Sequence, residues 1–365
     1  MKRLLIALLV AGACGGNDET PSEEVDSGIV APDAEPAATI PYDTLSEYGL
    51  FLGDGASQEP AAGVIPYAPN GVLFADYAAK HRFIYTPSAA KITYSPTEPW
   101  TFPEGSIIVK TFAQPRDLRD VEMGEQLIET RLLIFQEGQW KPHTYLWNDE
   151  QNEASRTVAG AAVPVTWIHS DGTTRSNTFA VPNSNQCLNC HGKPGVTNLI
   201  GVRTRQLNRD FDYGDGPVNQ IDHLVSLQQF DGAIEDAAAR EVLPEPFGTA
   251  SLADRARAYL EVNCAHCHNP SGAAKDSGLF LSSDITEPVD FGICRRPVAA
   301  GSAAGGNLHD IQPGAPDESI LVFRMDSADA EVRMPELGRN QIDDEAVELI
   351  REWITAMPAD DCSSK

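Results

Sequence analysis

The stretch NCAHCHNP, residues 263–270, decides the architecture of the C-terminal third of this chain. It places Cys264 and Cys267 three positions apart with His268 directly after the second cysteine, and a further histidine, His266, lies between them. Two cysteines at this spacing occur in zinc sites, in redox dithiols and in haem attachment sites. Zinc would need further paired ligands, which do not follow the stretch, and a redox dithiol needs no histidine after it.

A second copy of the spacing lies in QCLNCHG, residues 186–192, with Cys187, Cys190 and His191 in the same positions. In haem c, two cysteines form thioether bonds with the vinyl groups of the porphyrin, and the histidine that follows ligates the iron. Two copies in one chain make coincidence a poor explanation. The pattern therefore predicts two covalently bound haem c groups, one at each pair of cysteines.

The histidine after each cysteine pair is the predicted proximal ligand of the iron, which is His191 at the first site and His268 at the second. His266 lies inside the loop between two thioether positions. We expect it to point away from that iron, as a polar surface residue or as a neighbour of the ligands.

Met334, in the stretch RMPELG, is the predicted sixth ligand of the second haem, 66 residues after His268. A small cytochrome c begins with a helix that leads into C-x-x-C-H, returns a methionine from a later loop and closes with a second helix. Pro335 and Gly338 suit a rigid loop, and a helix is predicted directly afterwards, in DDEAVELIREWITAMP. Met325 is the alternative, but DESILVFRM predicts a helix on which Met325 packs.

The first haem has no such methionine, because none follows His191 before Met325. His223, on the helix predicted in NQIDHLVSLQQF, is the nearest histidine in the usual chain order and is the predicted sixth ligand. A single histidine on an apolar helix is more often a packing residue. A ligand from the upstream region and the absence of any sixth ligand therefore stay open. The other histidines considered are His81, His143, His169 and His309.

The first residues, MKRLLIALLVAGAC, predict export. A basic start precedes an apolar run too short to span a bilayer, and small residues follow, as in a secretory signal. We assign residues 1–13 to the signal peptide and Cys14 to the lipidated start of the mature chain, although Ala11 stands where leucine is usual. Cleavage that leaves Cys14 free is the alternative. Because Gly15 is not the aspartate that retains lipoproteins at the inner membrane, we expect an outer-membrane lipoprotein, on the periplasmic or cell-surface side.

Export places the remaining cysteines in an oxidising compartment. Once Cys14 and the four motif cysteines are assigned, Cys294 and Cys362 are left. We expect a disulfide between them, and two free thiols are the alternative.

The formal net charge of −26 argues against a nucleic-acid partner, since few cations are present to neutralise phosphates. A well-solvated exported surface explains such a charge. Electrostatic steering towards a basic redox partner is the alternative.

The composition changes along the chain in four steps. Residues 14–40 are acidic and rich in Pro and Ala, which predicts a disordered tether. Residues 41–182 contain short segments rich in β-branched and aromatic residues, which predict an antiparallel β sandwich or barrel-like domain. A first haem-binding region, 183–248, and a C-terminal cytochrome c domain, 249–362, are expected to be mainly helical. The predicted strands are KITYS, GSIIVKTF, ETRLLIFQ, HTYLWN, VPVTWIHS and SNTFAVP.

The sequence resembles a family of bacterial di-haem c-type cytochromes that have a β-rich N-terminal part before the haems. The resemblance covers about residues 45–356 and includes VLFADYAAKHRFIYTP, FPEGSIIVKTF, QCLNCHG, IGVRTRQLNRDF, NCAHCHNPSG, IQPGAPDESILVFRM and RMPELGRNQIDDEAVELIREWI. It implies covalent haem c and electron transfer, and it supplies no substrate. The residues it carries over are Cys187, Cys190, His191, Cys264, Cys267, His268 and Met334.

These observations favour an exported, membrane-tethered electron carrier with two haems, because no hydrolase, zinc-protease or phosphate-binding motif is present. Whether the protein is an enzyme stays open. A di-haem oxidoreductase, peroxidase-like, with an open coordination position at the first haem is the alternative. A binding module whose β domain docks a partner or a polysaccharide is compatible with both.

Overall fold

A six-stranded antiparallel sheet occupies the N-terminal half of the chain in the computed structural model, which describes residues 40–88, 90–193, 196–298 and 300–363. The strands follow one another in chain order as a meander. Cys14, the predicted signal peptide and nearly all of the predicted tether lie outside the described residues. The strands are β1 (Val64–Pro66), β2 (Ala79–Tyr85), β3 (Ile107–Pro115), β4 (Glu125–Gln136), β5 (Gln139–Trp147) and β6 (Ala154–Thr157).

Alternating apolar residues give this sheet two buried faces. Phe83, Val109 and Leu132 point to one face and pack against Leu45 and Leu50 of the segment before β1. On the other face, a hairpin of β7 (Ala161–Ile168) and β8 (Thr174–Val181) covers one end. Val165, Trp167 and Phe179 of the hairpin pack with Phe112 and Ile128 of the sheet. The predicted antiparallel β-rich N-terminal part is confirmed.

Two details of the strand prediction are wrong. KITYS, residues 91–95, forms only isolated bridges, between Ile92 and Phe230 and between Thr93 and Thr101. Strands β1, β2 and β6 were not predicted. Strand β2, AKHRFIY, was missed because charged side chains interrupt its apolar pattern.

The four tryptophans of the β-rich part are all buried. This favours core packing over the sugar-binding platform that was the alternative. Their exposed fractions are at most 7%, for Trp100, Trp140, Trp147 and Trp167.

Short elements follow the hairpin and return to the sheet. Ile221 and Leu224 of the third helix pack with Ile84, Ile108 and Trp100, which forms a second core over the uncovered part of the same sheet face. The elements are α1 (Ser184–His191), β9 (Gly192–Lys193), β10 (Val196–Thr197), α2 (Thr204–Leu207), β11 (Asp210–Asp212), β12 (Pro217–Asn219) and α3 (Gln220–Ser226).

The last third contains helices, but long irregular segments separate them, so the expectation of mainly helical regions after residue 182 is confirmed only in part. Ser251 caps the first of its helices by accepting a hydrogen bond from the Asp254 amide, and Asp343 caps the last by accepting one from Ala346. The helices are α4 (Leu252–Leu260), which continues in a π-helical turn (Glu261–Ala265), α5 (Ile320–Met325) and α6 (Asp344–Thr355).

Helices α4 and α6 pack across each other in one core. Tyr259 and Leu260 of α4 contribute to it, as do Ile350 and Trp353 of α6. Cys294 and Cys362 form a disulfide in the structure.

The sheet, the two motif regions and the C-terminal helices all belong to one compact unit, Pro41–Lys365. Among the residues that the structure describes, no helix has the length and apolar character needed to cross a bilayer.

Candidate functional site

Helix α1 carries the whole first motif. Asn183 and Gln186 form a capping box in which each side chain accepts a hydrogen bond from the other residue's backbone amide. The helix places Cys187 and Cys190 one turn apart and ends at His191. Gly192 follows with a φ of 107°, a conformation that a side chain would strain.

The second motif begins where α4 loosens into the π-helical turn. Cys264 lies in this turn and packs against the core shared by α4 and α6. The buried Asn263 side chain accepts a hydrogen bond from the Phe74 amide at 2.7 Å. A Cβ on Gly71 would lie 2.4 Å from a methyl group of Val262. The second motif is therefore held tightly against the loop that precedes β2.

Both motif histidines are oriented in the same way. His191 Nδ1 lies 3.0 Å from the carbonyl oxygen of Asn198, and His268 Nδ1 lies 3.3 Å from that of Leu279. Within the described parts of the chain, neither Nε2 has a hydrogen-bond partner. Burial lowers the pKa of His191 and of His268, which keeps both rings neutral. A neutral imidazole whose Nδ1 donates to a carbonyl presents the Nε2 lone pair to a metal.

The structure brings the two motifs into contact. The Sγ atoms of Cys190 and Cys267 and a ring nitrogen of His266 lie within 4.8 Å of one another. The Cys267 thiol also donates to the carbonyl of Asn189 at 3.5 Å. The hydrogen-bonding contact with Cys267 and a smaller one with His266 hold the pKa of the Cys190 thiol below its usual range. His266 therefore faces the other motif, a neighbour that sequence reasoning did not identify.

The predicted sixth ligand, Met334, lies in the loop between α5 and α6. Its amide donates to the Arg324 carbonyl at 2.9 Å, and its own carbonyl accepts from Arg339 Nη2 at 2.7 Å. Burial raises the pKa of Cys264, which the charge of Arg339 opposes, and burial together with the charge of Arg324 lowers the pKa of His268. The two arginines bonded to the Met334 backbone thus act on the second motif, whereas Met325 is buried in the core of α4 and α6, as a packing residue would be.

His223 lies elsewhere. Its ring stacks on Tyr213 with the centroids 3.6 Å apart, and it lines a cavity with residues 61–66 at the edge of β1. No contact between His223 and the first motif is found in the described residues, so its role as a ligand stays a prediction. The other histidines have their own partners or surroundings: His81 with Glu125, His169 with Trp167, His309 with Gln312, and His143 with a buried Nε2.

Comparison of the chain with models of protein families, with curated proteins and with solved structures finds no match. What the site does must therefore be argued from its own residues.

Each motif presents the donors that haem c needs, which are two thiols and one neutral imidazole with a free Nε2. A structural zinc ion would need four donors. Among the described residues, the group formed by Cys190, His266 and Cys267 contains three. The donor set at each motif therefore fits haem c, and the group between the motifs is one ligand short of a structural zinc site.

Proposed function

We propose that this chain is an exported di-haem c-type cytochrome that transfers electrons, held at a membrane by a lipid on Cys14. The observation that carries the proposal is the contact between two complete C-x-x-C-H motifs within one compact unit. Haem c supplies a reversible one-electron change at its iron. Two such groups attached at touching motifs would be close enough to exchange electrons directly.

The chain's own residues would do three things at the second motif. Cys264 and Cys267 would hold the haem, and His268, directed by the Leu279 carbonyl, would ligate the iron. Met334 would complete the ligation with a thioether, which raises the reduction potential relative to a second imidazole. At the first motif, Cys187, Cys190 and His191 would supply the corresponding groups.

The partners follow from the charge and from the N-terminus. A net charge of −26 suits a basic redox partner that is guided by long-range attraction. The resemblance to di-haem c-type cytochromes with a β-rich N-terminal part supports the same class of function.

The decisive measurement is the mass of the denatured mature protein after expression with the haem-attachment machinery. Two covalent haems per chain should appear as a mass increase of two haem units. The Cys187→Ala/Cys190→Ala and Cys264→Ala/Cys267→Ala variants should each lose one unit. A wild-type mass with no haem would overturn the proposal.

The position of His223 favours a second candidate, a di-haem oxidoreductase whose first haem keeps an open face for a small oxidant. The spectrum of the ferric protein separates the two candidates. Two low-spin haems support the carrier. A high-spin signal that binds carbon monoxide after reduction supports the enzyme. If the first haem is low-spin and His223→Ala makes it high-spin, His223 is the sixth ligand after all.

Anchoring is tested separately. Cys14→Ser should release the protein from the membrane fraction while both haems remain attached. Equal membrane association of wild type and variant would rule out the lipid anchor and leave the electron-transfer proposal untouched.

A further inference from the structure

The loop that precedes β2, residues 71–77, contains two consecutive non-glycine residues in the left-handed region of the backbone. Asp76 has a φ of 53° and Tyr77 a φ of 64°. Such conformations cost free energy in a residue with a side chain, and they persist only where the surrounding structure holds them. Contacts with the last third of the chain hold the 71–77 loop on two sides.

The Asp76 side chain makes the first of these contacts. The residue is 2% exposed. Its Oδ1 accepts hydrogen bonds from the backbone amides of Asn340 at 2.6 Å and Gln341 at 2.8 Å, and its Oδ2 accepts one from Asn177 Nδ2 at 2.7 Å. Three donors suit an ionised carboxylate, and hydrogen bonds to a charged acceptor are among the stronger ones in proteins. Asp76 therefore fixes the segment after α5 to the N-terminal sheet.

This segment lies directly after the arginine that holds Met334. Arg339 Nη2 donates to the Met334 carbonyl at 2.7 Å, and its Nη1 donates to the Gln341 carbonyl at 2.9 Å. The Tyr77 hydroxyl adds a contact by donating to the Ile342 carbonyl at 2.8 Å. The 71–77 loop is thus bonded to three consecutive residues of the segment that carries Met334.

The other side of the 71–77 loop contacts the second motif. The Phe74 amide donates to Asn263 Oδ1 at 2.7 Å, and Asn263 directly precedes Cys264. The rings of Phe74 and Tyr77 pack edge to face with their centroids 5.0 Å apart, so the two contacts belong to one packed unit. One short loop from the N-terminal part therefore joins the attachment residues of the second motif to the segment of Met334.

We infer that Asp76 is a positioning residue for the second haem, and that the 71–77 loop holds Met334 in place relative to the attachment cysteines. The inference rests on the proposed function. It gives the β-rich part a role in the second haem site itself. A ligand that is held in place binds with a smaller loss of entropy than one on a free loop, so removal of the Asp76 carboxylate should weaken the bond between methionine and iron.

The test compares Asp76→Gly with Asp76→Asn in the two-haem protein. Glycine removes the acceptor and adopts a positive φ without strain, so the hydrogen bonds to the two amides are lost without a new backbone cost. Asparagine tolerates the same conformation and keeps an oxygen for the two amides.

In Asp76→Gly, the weak near-infrared band of methionine ligation should decrease and the potential of the second haem should fall, because a thioether ligand favours ferrous iron. Added imidazole should bind the ferric second haem roughly tenfold more tightly, a change of about 1.4 kcal/mol, because it displaces a weaker ligand. Asp76→Asn should stay close to wild type in all three measurements.

Asn177→Ala is the matched control. It removes a hydrogen bond from the same carboxylate and leaves the amides of Asn340 and Gln341 bonded to Oδ1. Its methionine band and imidazole affinity should be those of wild type. The signals of the first haem should not change in any of the three variants.

An unchanged methionine band and imidazole affinity in Asp76→Gly would overturn the inference, even if the melting temperature falls, because Asp76 would then have a structural role alone. Equal changes in Asp76→Gly and Asn177→Ala would overturn it too, since the effect would not pass through residues 340 and 341. If Asp76→Gly does not fold, Tyr77→Phe removes only the hydroxyl that binds the Ile342 carbonyl and should give a smaller change of the same sign. No change in that variant would then contradict the inference.

Failure of the proposed function is recognised before any variant is compared. A wild-type protein without covalent haem overturns the proposed function and this inference together. A wild-type protein that carries both haems and lacks the methionine band leaves the di-haem proposal standing and overturns the inference alone.

Discussion

The two C-x-x-C-H motifs have the same spacing and very different surroundings. The second lies at the end of α4, and its Cys264 packs against the core of α4 and α6. The first lies on α1, a helix of eight residues that all keep some exposure to solvent. This helix contacts β5 of the sheet, and the charges of Lys110 and Arg131 add to the effect of burial that lowers the pKa of its His191.

Under the proposed function, the five residues of each motif would encode attachment without encoding the environment of the attached group. At the second motif, the apolar packing and the loop that carries Met334 both come from the last third of the chain. At the first, the charged neighbours come from strands more than 50 residues upstream. We therefore expect the two sites to respond differently to the same kind of change.

The largest effect should come from removing each attachment pair in turn. Cys264→Ala/Cys267→Ala should destabilise the protein on the order of 5 kcal/mol or more, because the space left by the proposed haem would open into the core of α4 and α6. Cys187→Ala/Cys190→Ala should cost less, since every residue of α1 keeps some exposure to solvent. Denaturant unfolding of both variants, each with one remaining haem, measures the comparison. Equal losses would mean that the first site is as much a part of the core as the second.

The surroundings of the two motifs differ in how well the sequence predicts them. Around the second, local signals were sufficient: Ser251 marks the start of α4, and the helical pattern of residues 344–355 marks α6. Around the first motif, local signals were not sufficient. Arg82, Lys110 and Arg131 come side by side through the register of three strands, and β2 could not be recognised because Lys80 and Arg82 break its alternation. Contact between the two motifs likewise depends on the tertiary structure. It brings His266 next to the first motif, which no local sequence pattern predicts.

The next effect is on the potential of the second haem alone. Met334→His replaces a thioether with a stronger donor that stabilises the ferric state, so the potential should fall by a sizeable part of the roughly 0.8 V range that axial ligands span. The weak near-infrared band of methionine ligation should disappear. Spectroelectrochemical titration checks both, and Met325→His serves as the comparison. If Met325→His removes the band and Met334→His does not, the ligand assignment is reversed.

A smaller effect is expected from the arginine that holds the Met334 loop. Arg339 donates to the carbonyl groups of Met334, Arg324, Met325 and Gln341 and is 5% exposed. Arg339→Ala leaves these acceptors without their donor and should cost about 3 to 5 kcal/mol.

The signature of a positioning role is spectroscopic. Arg339→Ala should weaken the methionine band of the second haem, Arg339→Lys should restore part of it, and the signals of the first haem should not change. A loss of stability with an intact band would make Arg339 a purely structural residue.

The smallest effect is a pH dependence that also separates the two regions. Asp310, in the C-terminal part, is 6% exposed with an unpartnered Oδ2, and burial raises its pKa to about 6 despite the opposing charges of Arg295 and Arg324. A carboxyl whose pKa is higher in the folded than in the unfolded chain contributes stability below about pH 4 and loses it as the pH rises through 6. Asp310→Asn should therefore stabilise the protein by about 2 to 3 kcal/mol at pH 7 and hardly at all at pH 4. Lys80, on β2 of the N-terminal sheet, titrates in the opposite sense: burial lowers its pKa to about 7, below the usual value, so stability rises with pH above 7. The unfolding free energies of Asp310→Asn and Lys80→Met, measured from pH 4 to 10, should differ from wild type in separate pH ranges, between about pH 4 and 6 for Asp310 and above 7 for Lys80. A pH-independent difference for Asp310→Asn would show that its carboxyl is not the group that titrates.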